Sequence, residues 1–422
     1  MRKAFGTTPS IRTLTFHPET PVGTLFIVDK DGERTMVGPA VGNLQVAIQH
    51  DAGLLVSTEA SSKLQLLSAL EEDALQVIDL VWSHVNDQGM THVAQQRFLK
   101  ELALSHTAVG DAGIDKLAGL AHLHTLDLSY TKVGGNATNA LKGMTRLRHL
   151  NVSSTQIGDL QLSNIVQLSA LESLNLNYCG ITDYGMKRVP LLENLKTLRV
   201  SGKDITDESA LHISCLGKLE ELWIANTQIT GVGLEAFANL QRLLHLNLCY
   251  TPITDSCVFP LEKLWRLETL NLEGTAIGDA GVDRLQELRG LKSLDLDSTN
   301  ITDEGLKSFA RLFQLEQLDL KNTEVGDAGI VHLSSLANLH TLYLRGTKVS
   351  DDCLQQLEQM PLLRDLDLSQ TLITDDAVPI LSRMQSLIQL DVAETGMTRK
   401  ALKELQAALP ACKLFGDDGF SR

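Results

Sequence analysis

Residues 267–290 read LETLNLEGTAIGDAGVDRLQELRG, and this stretch decides the fold. Its first apolar residues are spaced as in a strand with one buried face, and its later ones as in a short helix. One copy cannot bury its own apolar face, so it needs equivalent copies beside it. Those copies are present, because a leucine recurs every 24 residues without insertion or deletion, at Leu99, Leu123, Leu147, Leu171, Leu195, Leu219, Leu243, Leu267, Leu291, Leu315, Leu339, Leu363 and Leu387.

Each repeat has a fixed order of residue types, with positions counted from its first leucine. Positions 1, 4 and 6 are aliphatic, as in Leu267, Leu270 and Leu272, and predict a strand with one buried face. Position 11 is Val or Ile, and apolar residues at positions 16, 19 and 22 predict a helix of about two turns. Position 12 is mostly Thr or Gly and position 13 mostly Asp, which suits a helix N-terminus. Position 15 is small in most repeats, so that neighbouring helices can approach closely.

The pattern LxxLxLxxTxITDxGLxxLxxL resembles the leucine-rich repeat family over about residues 75–414, in the helix-bearing form related to ribonuclease-inhibitor-like repeats. The 24-residue repeat is also similar to the ITDxGL-type repeats of bacterial proteins, including GALA-type effectors. The resemblance implies an α/β fold: a curved solenoid with a parallel β-sheet on its concave face and short helices on its convex face. In this family position 9 is usually Asn and forms a hydrogen-bonded ladder. Here position 9 is Thr, which is expected to continue the ladder with fewer bonds.

The chain is predicted to have three parts. Residues 1–73 do not follow the period, and IRTLTF, GTLFIVD, NLQVAI and LLVS read as four or five short strands of a β-rich N-terminal cap. A cap is needed because an open end of the repeats exposes apolar core and an unpaired strand edge. Residues 74–410 hold about 14 repeats, and residues 64–76 read as the helical half of a preceding one. Residues 411–422 form a C-terminal cap and tail.

Charge and cysteine usage bear on partners and compartment. The net charge of −15 repels phosphate backbones and anionic lipid, so neither nucleic acid nor a membrane surface is an expected partner. No apolar run has the length of a membrane span, and the first residues lack a signal-peptide pattern. Cys179 and Cys249 are three strands apart, about 14 Å, which is beyond disulfide reach. The six cysteines have no feasible pairing, so we expect a protein of the reducing cytoplasm. It is also expected to be a monomer.

Catalytic and metal-binding motifs are missing from the sequence. It contains no phosphate-binding glycine loop, no nucleophile elbow and no HExxH, so no catalytic residue, cofactor or enzyme activity is predicted. The histidines at positions 2 and 3 of four repeats do not form a zinc cluster, and no metal site is predicted. Asp295, Asp297 and Asp319 could gather a hard cation such as calcium. Alternatively, Asp297 joins Glu273 and the basic residues that follow in a salt-bridge ladder, which is the favoured interpretation.

Candidate contact residues are those that depart from the repeat's own pattern on the side of the sheet opposite the core. Position 5 is usually Asp or Asn across the repeats, so these residues are explained by the repeat pattern and do not by themselves indicate a binding site. Aromatic residues, His and Arg instead occupy positions 5 and 8 of several repeats. Such residues dominate interface energetics because they bury a large area with few rotors. The predicted partner-binding residues, concentrated over 82–250, are Trp82, His106, Tyr130, Tyr178, Arg199, Trp223, Tyr250 and Tyr343.

Two explanations of these residues remain open. The rings could contact a partner, or they could pack on one another and shield the sheet, with Arg199 over Trp223 as an internal cation–π pair. The predicted function is a non-catalytic protein–protein interaction scaffold. The alternative is a substrate-recognition component of a ubiquitin-ligase-type or effector system, or a regulator that caps an enzyme or GTPase. GALA-type effectors carry an F-box ahead of their repeats, and residues 1–73 show no F-box-like helical segment.

Overall fold

The computed structural model describes residues 11–47, 50–56, 58–416 and 420–421, without the side chains of 58–61, 420 and 421. Residues 1–10 of the predicted cap and residues 417–419 and 422 of the predicted tail lie outside this description. The chain forms two compact units, the N-terminal half (residues 1–202) and the C-terminal half (residues 203–422). None of the helices in the described ranges has the length and apolarity of a membrane span.

The N-terminal half begins with a small antiparallel cap, as predicted. Its strands are β1 (Ile11–Thr15), β2 (Thr24–Val28), β3 (Arg34–Pro39), β4 (Asn43–Ala47) and β5 (Asp51–Leu55). Strand β1 pairs with β4, and β2 lies between β3 and β5. Strand β5 also pairs in parallel with the first repeat strand, β6, so the cap covers the edge of the repeat sheet.

The repeats of the N-terminal half alternate short parallel strands with short helices. The strands are β6 (Val77–Asp79), β7 (Glu101–Ala103), β8 (Thr125–Asp127), β9 (His149–Asn151), β10 (Ser173–Asn175) and β11 (Thr197–Arg199). The α-helices are α1 (Met90–Val93), α2 (Asp111–Lys116), α3 (Ala137–Leu141), α4 (Asp159–Ile165) and α5 (Asp183–Met186). The 3-10 helices are Thr58–Ala69 and Val189–Leu191. The helix expected over 64–76 therefore ends at Ala69, and a turn at 71–74 leads into β6.

The C-terminal half continues the same alternation and ends with an antiparallel hairpin of β20 and β21. The strands are β12 (Glu221–Trp223), β13 (His245–Asn247), β14 (Thr269–Asn271), β15 (Ser293–Asp295), β16 (Gln317–Asp319), β17 (Thr341–Tyr343), β18 (Asp365–Asp367), β19 (Gln389–Asp391), β20 (Lys413–Gly416) and β21 (Phe420–Ser421). The α-helices are α6 (Asp207–Ile213), α7 (Gly231–Phe237), α8 (Asp279–Leu285), α9 (Asp327–Ile330), α10 (Leu354–Glu358), α11 (Val378–Leu381) and α12 (Arg399–Ala408). The 3-10 helices are Phe259–Lys263, Gly305–Arg311, Val331–Ser335, Asp351–Cys353 and Asp375–Ala377.

The core consists of the positions that the period predicts. In one repeat, Leu267, Leu270 and Leu272 of the strand segment and Val282 and Leu285 of the helix are all buried. Parallel pairing sets each position beside its equivalent 24 residues later, as in the alignment of Leu270 with Leu294. The apolar face of each repeat is therefore covered by identical faces on both sides, which one repeat alone cannot achieve. The predicted fold class, parallel strands alternating with short helices behind a β-rich cap, is confirmed.

An aspartate at position 13 links most repeats to the next. Asp279 accepts the backbone N–H of Thr302 at 2.9 Å and its hydroxyl at 2.7 Å. A Cβ on Gly305 would lie 2.6 Å from Asp279 Oδ1, so position 15 is small because this carboxylate fills the space. The equivalent bond to the N–H of position 12 in the next repeat is made by Asp87, Asp111, Asp159, Asp207, Asp255, Asp303, Asp327, Asp351 and Asp375.

The threonines at position 9 act differently from expectation. Thr275 Oγ1 donates to the carbonyl of Leu272 at 2.6 Å, and Thr299 donates to Leu296 at the same distance. The bond closes the turn that follows each strand, because donor and acceptor are three residues apart in one repeat. These hydroxyls therefore stabilise the turn of their own repeat, whereas a hydrogen-bonded ladder between neighbouring repeats was expected. The same bond is made by Thr107, Thr131, Thr155, Thr227, Thr251, Thr323, Thr347, Thr371 and Thr395.

Candidate binding surface

Position 8 of each repeat has a left-handed backbone. From Trp82 to Glu394, all fourteen residues at this position have a positive φ, which is 54° at Tyr130 and 55° at Tyr178. Glycine and asparagine tolerate this conformation, whereas a bulky residue there is an outlier. Five repeats nevertheless place a ring at position 8: Trp82, His106, Tyr130, Tyr178 and Tyr250.

The left-handed turn is built by the Asp or Asn at position 5. Asn175 Oδ1 accepts the backbone N–H of Asn177 at 3.0 Å, an Asx turn that sets the dihedral angles of the residues after the strand. The regular acidity of position 5 thus has a structural cause, as the pattern indicated. The same bond to the residue two places later is made by Asp79, Asp127, Asn151, Asn247, Asn271, Asp295, Asp319, Asp367 and Asp391.

Positions 5 and 8 compensate for each other in three of the predicted contact repeats. Arg199, Trp223 and Tyr343 occupy position 5, where their side chains offer no acceptor for the N–H of position 7. Position 8 of those repeats is Gly or Asn, which adopt a positive φ at low cost: Gly202, Asn226 and Gly346. In these three repeats a large contact residue at position 5 is thus combined with a residue at position 8 that adopts the turn at low cost. The His106 repeat has neither feature, because its position 5 is Ala103 and its position 8 is His106 itself.

Three of the predicted residues form one column of stacked rings. The ring centroids of Trp82 and His106 are 3.6 Å apart with an interplanar angle of 9°. His106 and Tyr130 follow at 4.2 Å and 11°. Trp82 is 65% exposed and Tyr130 51% exposed, so the ring edges of this aromatic column face solvent. Mutual packing was one of the two explanations that the sequence left open, and these three rings do pack on one another.

The other two rings at position 8 lie apart from the aromatic column. Tyr178 is exposed, two repeats beyond Tyr130. Tyr250, in the C-terminal half, donates its hydroxyl to Glu273 Oε1 at 2.5 Å, and this bond raises the pKa of Tyr250 to about 12. Its ring lies against Gly274, where a Cβ would come within 2.5 Å of it. Tyr250 is thus fixed against its own neighbours.

The three residues at position 5 each end a strand. Arg199 ends β11 in the N-terminal half, Trp223 ends β12 in the C-terminal half, and Tyr343 ends β17. The Tyr343 hydroxyl donates to Asp365 at 3.3 Å, and Lys321 Nζ lies 5.5 Å from the centroid of its ring. Sequence reasoning missed Lys321 as a partner of this ring, although its place at position 7 of the preceding repeat was a signal.

The acidic residues of β15 and β16 are neutralised by a lysine. Lys321 Nζ lies 2.9 Å from Asp319 and 3.5 Å from Asp297, and Asn271 donates to Asp295 at 2.7 Å. This arrangement supports the salt-bridge interpretation over a calcium site. In the described part of the chain, no three His, Cys, Asp or Glu side chains are grouped to hold a metal ion. A shallow depression of about 410 Å³ lies beside these residues, lined by Trp223, His245 and Asp295 among others.

Asp295 is expected to make stability fall as the pH rises from about 4 to 6. Burial raises the pKa of its carboxyl to about 6, and the nearby carboxylates of Asp319 and Glu273 add to the shift. The folded protein then binds a proton more tightly than the unfolded chain, so this contribution is greatest below pH 4 and is lost through pH 6. Relative to Asp295→Asn, wild type should lose about 1–2 kcal/mol between pH 4 and pH 7. Urea denaturation of both proteins at both pH values measures this change in the free energy of unfolding. A difference between the two proteins that does not depend on pH would contradict the prediction.

Comparison with known proteins identifies the repeat. A leucine-rich repeat family model matches residues 95–118, 144–160, 168–189, 267–285 and 289–310, and a second leucine-rich repeat model matches residues 218–240. Within these residues the chain is similar to leucine-rich repeats. No curated protein sequence matches it significantly.

Solved leucine-rich repeat structures share its fold. An internalin of Listeria monocytogenes is 21% identical with a TM-score of 0.59, over 78% of this chain and 94% of the internalin. A leucine-rich repeat protein of Leptospira interrogans is 18% identical with a TM-score of 0.51, over 85% of this chain and 98% of its own. A TDR receptor is 15% identical with a TM-score of 0.53, over 86% of this chain and 61% of the receptor. At these identities the likeness shows the leucine-rich repeat fold alone.

Proposed function

We propose that this leucine-rich repeat protein is a non-catalytic scaffold that binds another protein, with the aromatic column as the centre of its contact surface. Leucine-rich repeat proteins in general act as protein-interaction scaffolds. The single observation behind the proposal is the continuous stack of Trp82, His106 and Tyr130 on left-handed backbone, with Trp82 and Tyr130 exposed to solvent.

Folding stability alone does not account for the aromatic column. A non-glycine residue in the left-handed region costs roughly 1–2 kcal/mol. A stacked aromatic pair contributes about 0.5–1.5 kcal/mol, so the two terms nearly cancel. More than half of the Trp82 and Tyr130 side chains stays in water, where it adds nothing to folding. A partner that covers these rings would gain from their burial, and Trp and Tyr are the residues on which interfaces depend most.

The remaining predicted residues belong to the proposal as further contacts: Tyr178, Arg199, Trp223, Tyr250 and Tyr343. The partner is proposed to be a protein rather than nucleic acid or membrane because the net charge is −15. We also propose that the protein is a monomer and that it is located in the cytoplasm. The free thiols of all six cysteines, among them the buried Cys353 and Cys412, support a reducing compartment.

The test compares the aromatic column with exposed rings elsewhere. The double variant Trp82→Ser, Tyr130→Ser is expected to lose at least 10-fold in recovery of bound protein, because central aromatic anchors each contribute about 1–3 kcal/mol. Trp265→Ser, Phe313→Ser is the matched control, since those rings are 65% and 50% exposed and lie outside the aromatic column. The measurement is quantitative mass spectrometry of proteins captured from a lysate of the source organism. Equal capture of the same proteins by all three chains would remove the proposal.

A further inference from the structure

We propose that a pocket between the N-terminal cap and the first repeats binds a small oxyanion, either a phosphate or a carboxylate. The pocket has a volume of about 290 Å³, near the lower limit of about 300 Å³ for small-molecule clefts, which suits an ion or a single acidic group. The rings of the aromatic column do not line it, so this site is separate from the proposed protein contact. Its lining residues, all in the N-terminal half, are Arg12, His50, Asp51, Asp73, Gln76, Phe98, Lys100 and His122.

Residues from the cap and from the first two repeat strands converge on the pocket. Arg12 lies on β1 of the cap, and His50 directly precedes β5. Gln76 directly precedes β6, and Lys100 directly precedes β7. Because β5, β6 and β7 pair in parallel, the residues that precede them lie at the same edge of the sheet. The pocket therefore depends on the packing of the cap against the repeats.

Arg12 has a buried hydrogen-bond donor that no described residue accepts. Its Nη1 donates to the backbone carbonyl of Asp73 at 3.0 Å, and its Nη2 donates to the side-chain oxygen of Gln76 at 2.5 Å. Its Nε is buried and has no partner among the described residues. A guanidinium is always protonated, so Nε always carries a hydrogen, and a buried donor of a charged group is costly to leave unpaired. An oxyanion in the pocket would supply both the acceptor and the opposite charge.

Two histidines line the same pocket. The Nδ1 of His50 is also buried, and within the described part of the chain it has no hydrogen-bond partner. An imidazole nitrogen donates when it carries a proton, and a neighbouring anion favours that protonated form. The His122 ring stacks on Phe98, with ring centroids 5.0 Å apart. Arginine and histidine are residue types that donate strong hydrogen bonds to oxyanions.

The two carboxylates of the lining do not provide the acceptor for Arg12. Asp51 is bound to Lys100, whose Nζ lies 2.9 and 2.8 Å from the two carboxylate oxygens. Asp73 is an exposed residue and accepts from Arg12 through its backbone carbonyl. The Arg12 guanidinium is therefore held by a carbonyl and an amide oxygen, neither of which carries a negative charge.

The repeats beside the pocket add positive charge. Arg146 Nη1 lies 3.2 Å from His122 Nδ1. Burial and the charges of Arg148, Lys100, Arg146 and His122 lower the pKa of His124. Surroundings that oppose one more positive charge favour a negative one. The net charge of −15 acts weakly at this site, because charges more than about 8 Å away are largely screened at physiological salt.

The first experiment titrates the full chain with inorganic phosphate while NMR follows the histidine rings. At about pH 7 and constant ionic strength, phosphate is expected to shift the signals of His50 and His122 along one saturating curve. The signals of His245 and His340, in the C-terminal half, should stay unchanged. Replacing one histidine at a time with glutamine assigns the signals. Equal shifts at all four rings, or shifts that chloride reproduces, would overturn the site.

Succinate in place of phosphate distinguishes the two sources of the oxyanion. Tighter binding of phosphate would assign the pocket to a free phosphate or a phosphoryl group. Tighter binding of succinate would assign it to a carboxylate, as on an acidic side chain of a protein. Binding of neither anion would remove the proposal.

Asp51→Asn is the decisive variant, because it is expected to bind phosphate more tightly than wild type. Lys100 loses its charged partner while its own charge remains, so affinity should rise about 5-fold. Damage to the fold would instead weaken binding. Arg12→Gln removes the Nε donor and the charge and should weaken binding about 10-fold or more. Arg188→Gln is the matched control, since Arg188 is an arginine of the same half that bonds to Tyr184 and does not line the pocket.

These outcomes decide the site independently of the proposed function. Tighter binding by Asp51→Asn, with Arg188→Gln unchanged, supports the oxyanion site even if Arg12→Gln opens the cap. Unchanged or weaker binding by Asp51→Asn overturns it. Trp82→Ser, Tyr130→Ser should bind phosphate as wild type does, so loss of protein partners in that variant tests only the aromatic column.

Discussion

Gly305→Ala is expected to lower the free energy of unfolding by about 2 kcal/mol, an unusual cost for one added methyl group. The new Cβ would lie 2.6 Å from Asp279 Oδ1, so either the carboxylate or the backbone must move. If Asp279 moves, it loses its two hydrogen bonds to Thr302, which tie one repeat to the next. Guanidinium denaturation followed by circular dichroism measures the loss.

Two further variants identify the cause of the stability loss expected in Gly305→Ala. Gly217→Ala should change stability by less than about 0.5 kcal/mol, because a Cβ there meets no atom within 4 Å. In an Asp279→Ala background, Gly305→Ala should cost much less than it does alone, since the atom it meets has been removed. Equal costs of Gly305→Ala in both backgrounds would show that the helix, and not the carboxylate, requires glycine.

Phe26→Ala is expected to cost about 3–4 kcal/mol and to open the N-terminal cap. The Phe26 ring is 2% exposed and lies on Gly53 of β5, where a Cβ would come within 2.2 Å of it. Because β5 pairs with the first repeat strand, loss of the ring should loosen both the cap and that strand edge. Hydrogen exchange of amides in β2, β3, β5 and β6 measures this loss of protection.

Met36→Ala is the control for the cap. Met36 is paired with Phe26 across β2 and β3 but is 58% exposed, so its truncation should cost less than about 1 kcal/mol. Hydrogen exchange in β5 and β6 should then match wild type. If the two variants open the cap equally, the strand pairing holds it together and the buried ring does not.

The sequence predicted most of the cap, and the strand it missed has a physical explanation. The runs IRTLTF, GTLFIVD and NLQVAI contain β1, β2 and β4, and LLVS overlaps only the last two residues of β5. These runs place apolar residues on a buried face, which is the signal used for a strand. Strand β3, RTMVGP, is exposed along nearly its whole length. Its pairing with β2 comes from backbone hydrogen bonds, which leave no pattern in side-chain hydropathy.

The candidate site was found in the sequence by composition and explained only by geometry. Trp82, His106 and Tyr130 stood out because they replace the small residues usual at position 8. The frequent Gly and Asn at this position were a usable signal for a left-handed turn. The stacking of the three rings was beyond that signal, since it depends on side-chain torsion angles and on the small offset between neighbouring repeats.

The sequence by itself determined the 24-residue period, the buried positions, the alternation of strand and helix and the need for a cap. These follow from it because burial is a repeating one-dimensional pattern once equivalent repeats pair in register. Tertiary structure alone decided that Asp279 and its equivalents bond to the next repeat and that the rings of Trp82, His106 and Tyr130 stack. Each of these depends on atoms that are 23 to 25 residues apart in the chain and a few ångströms apart in space, and hydrophobic periodicity does not encode such contacts.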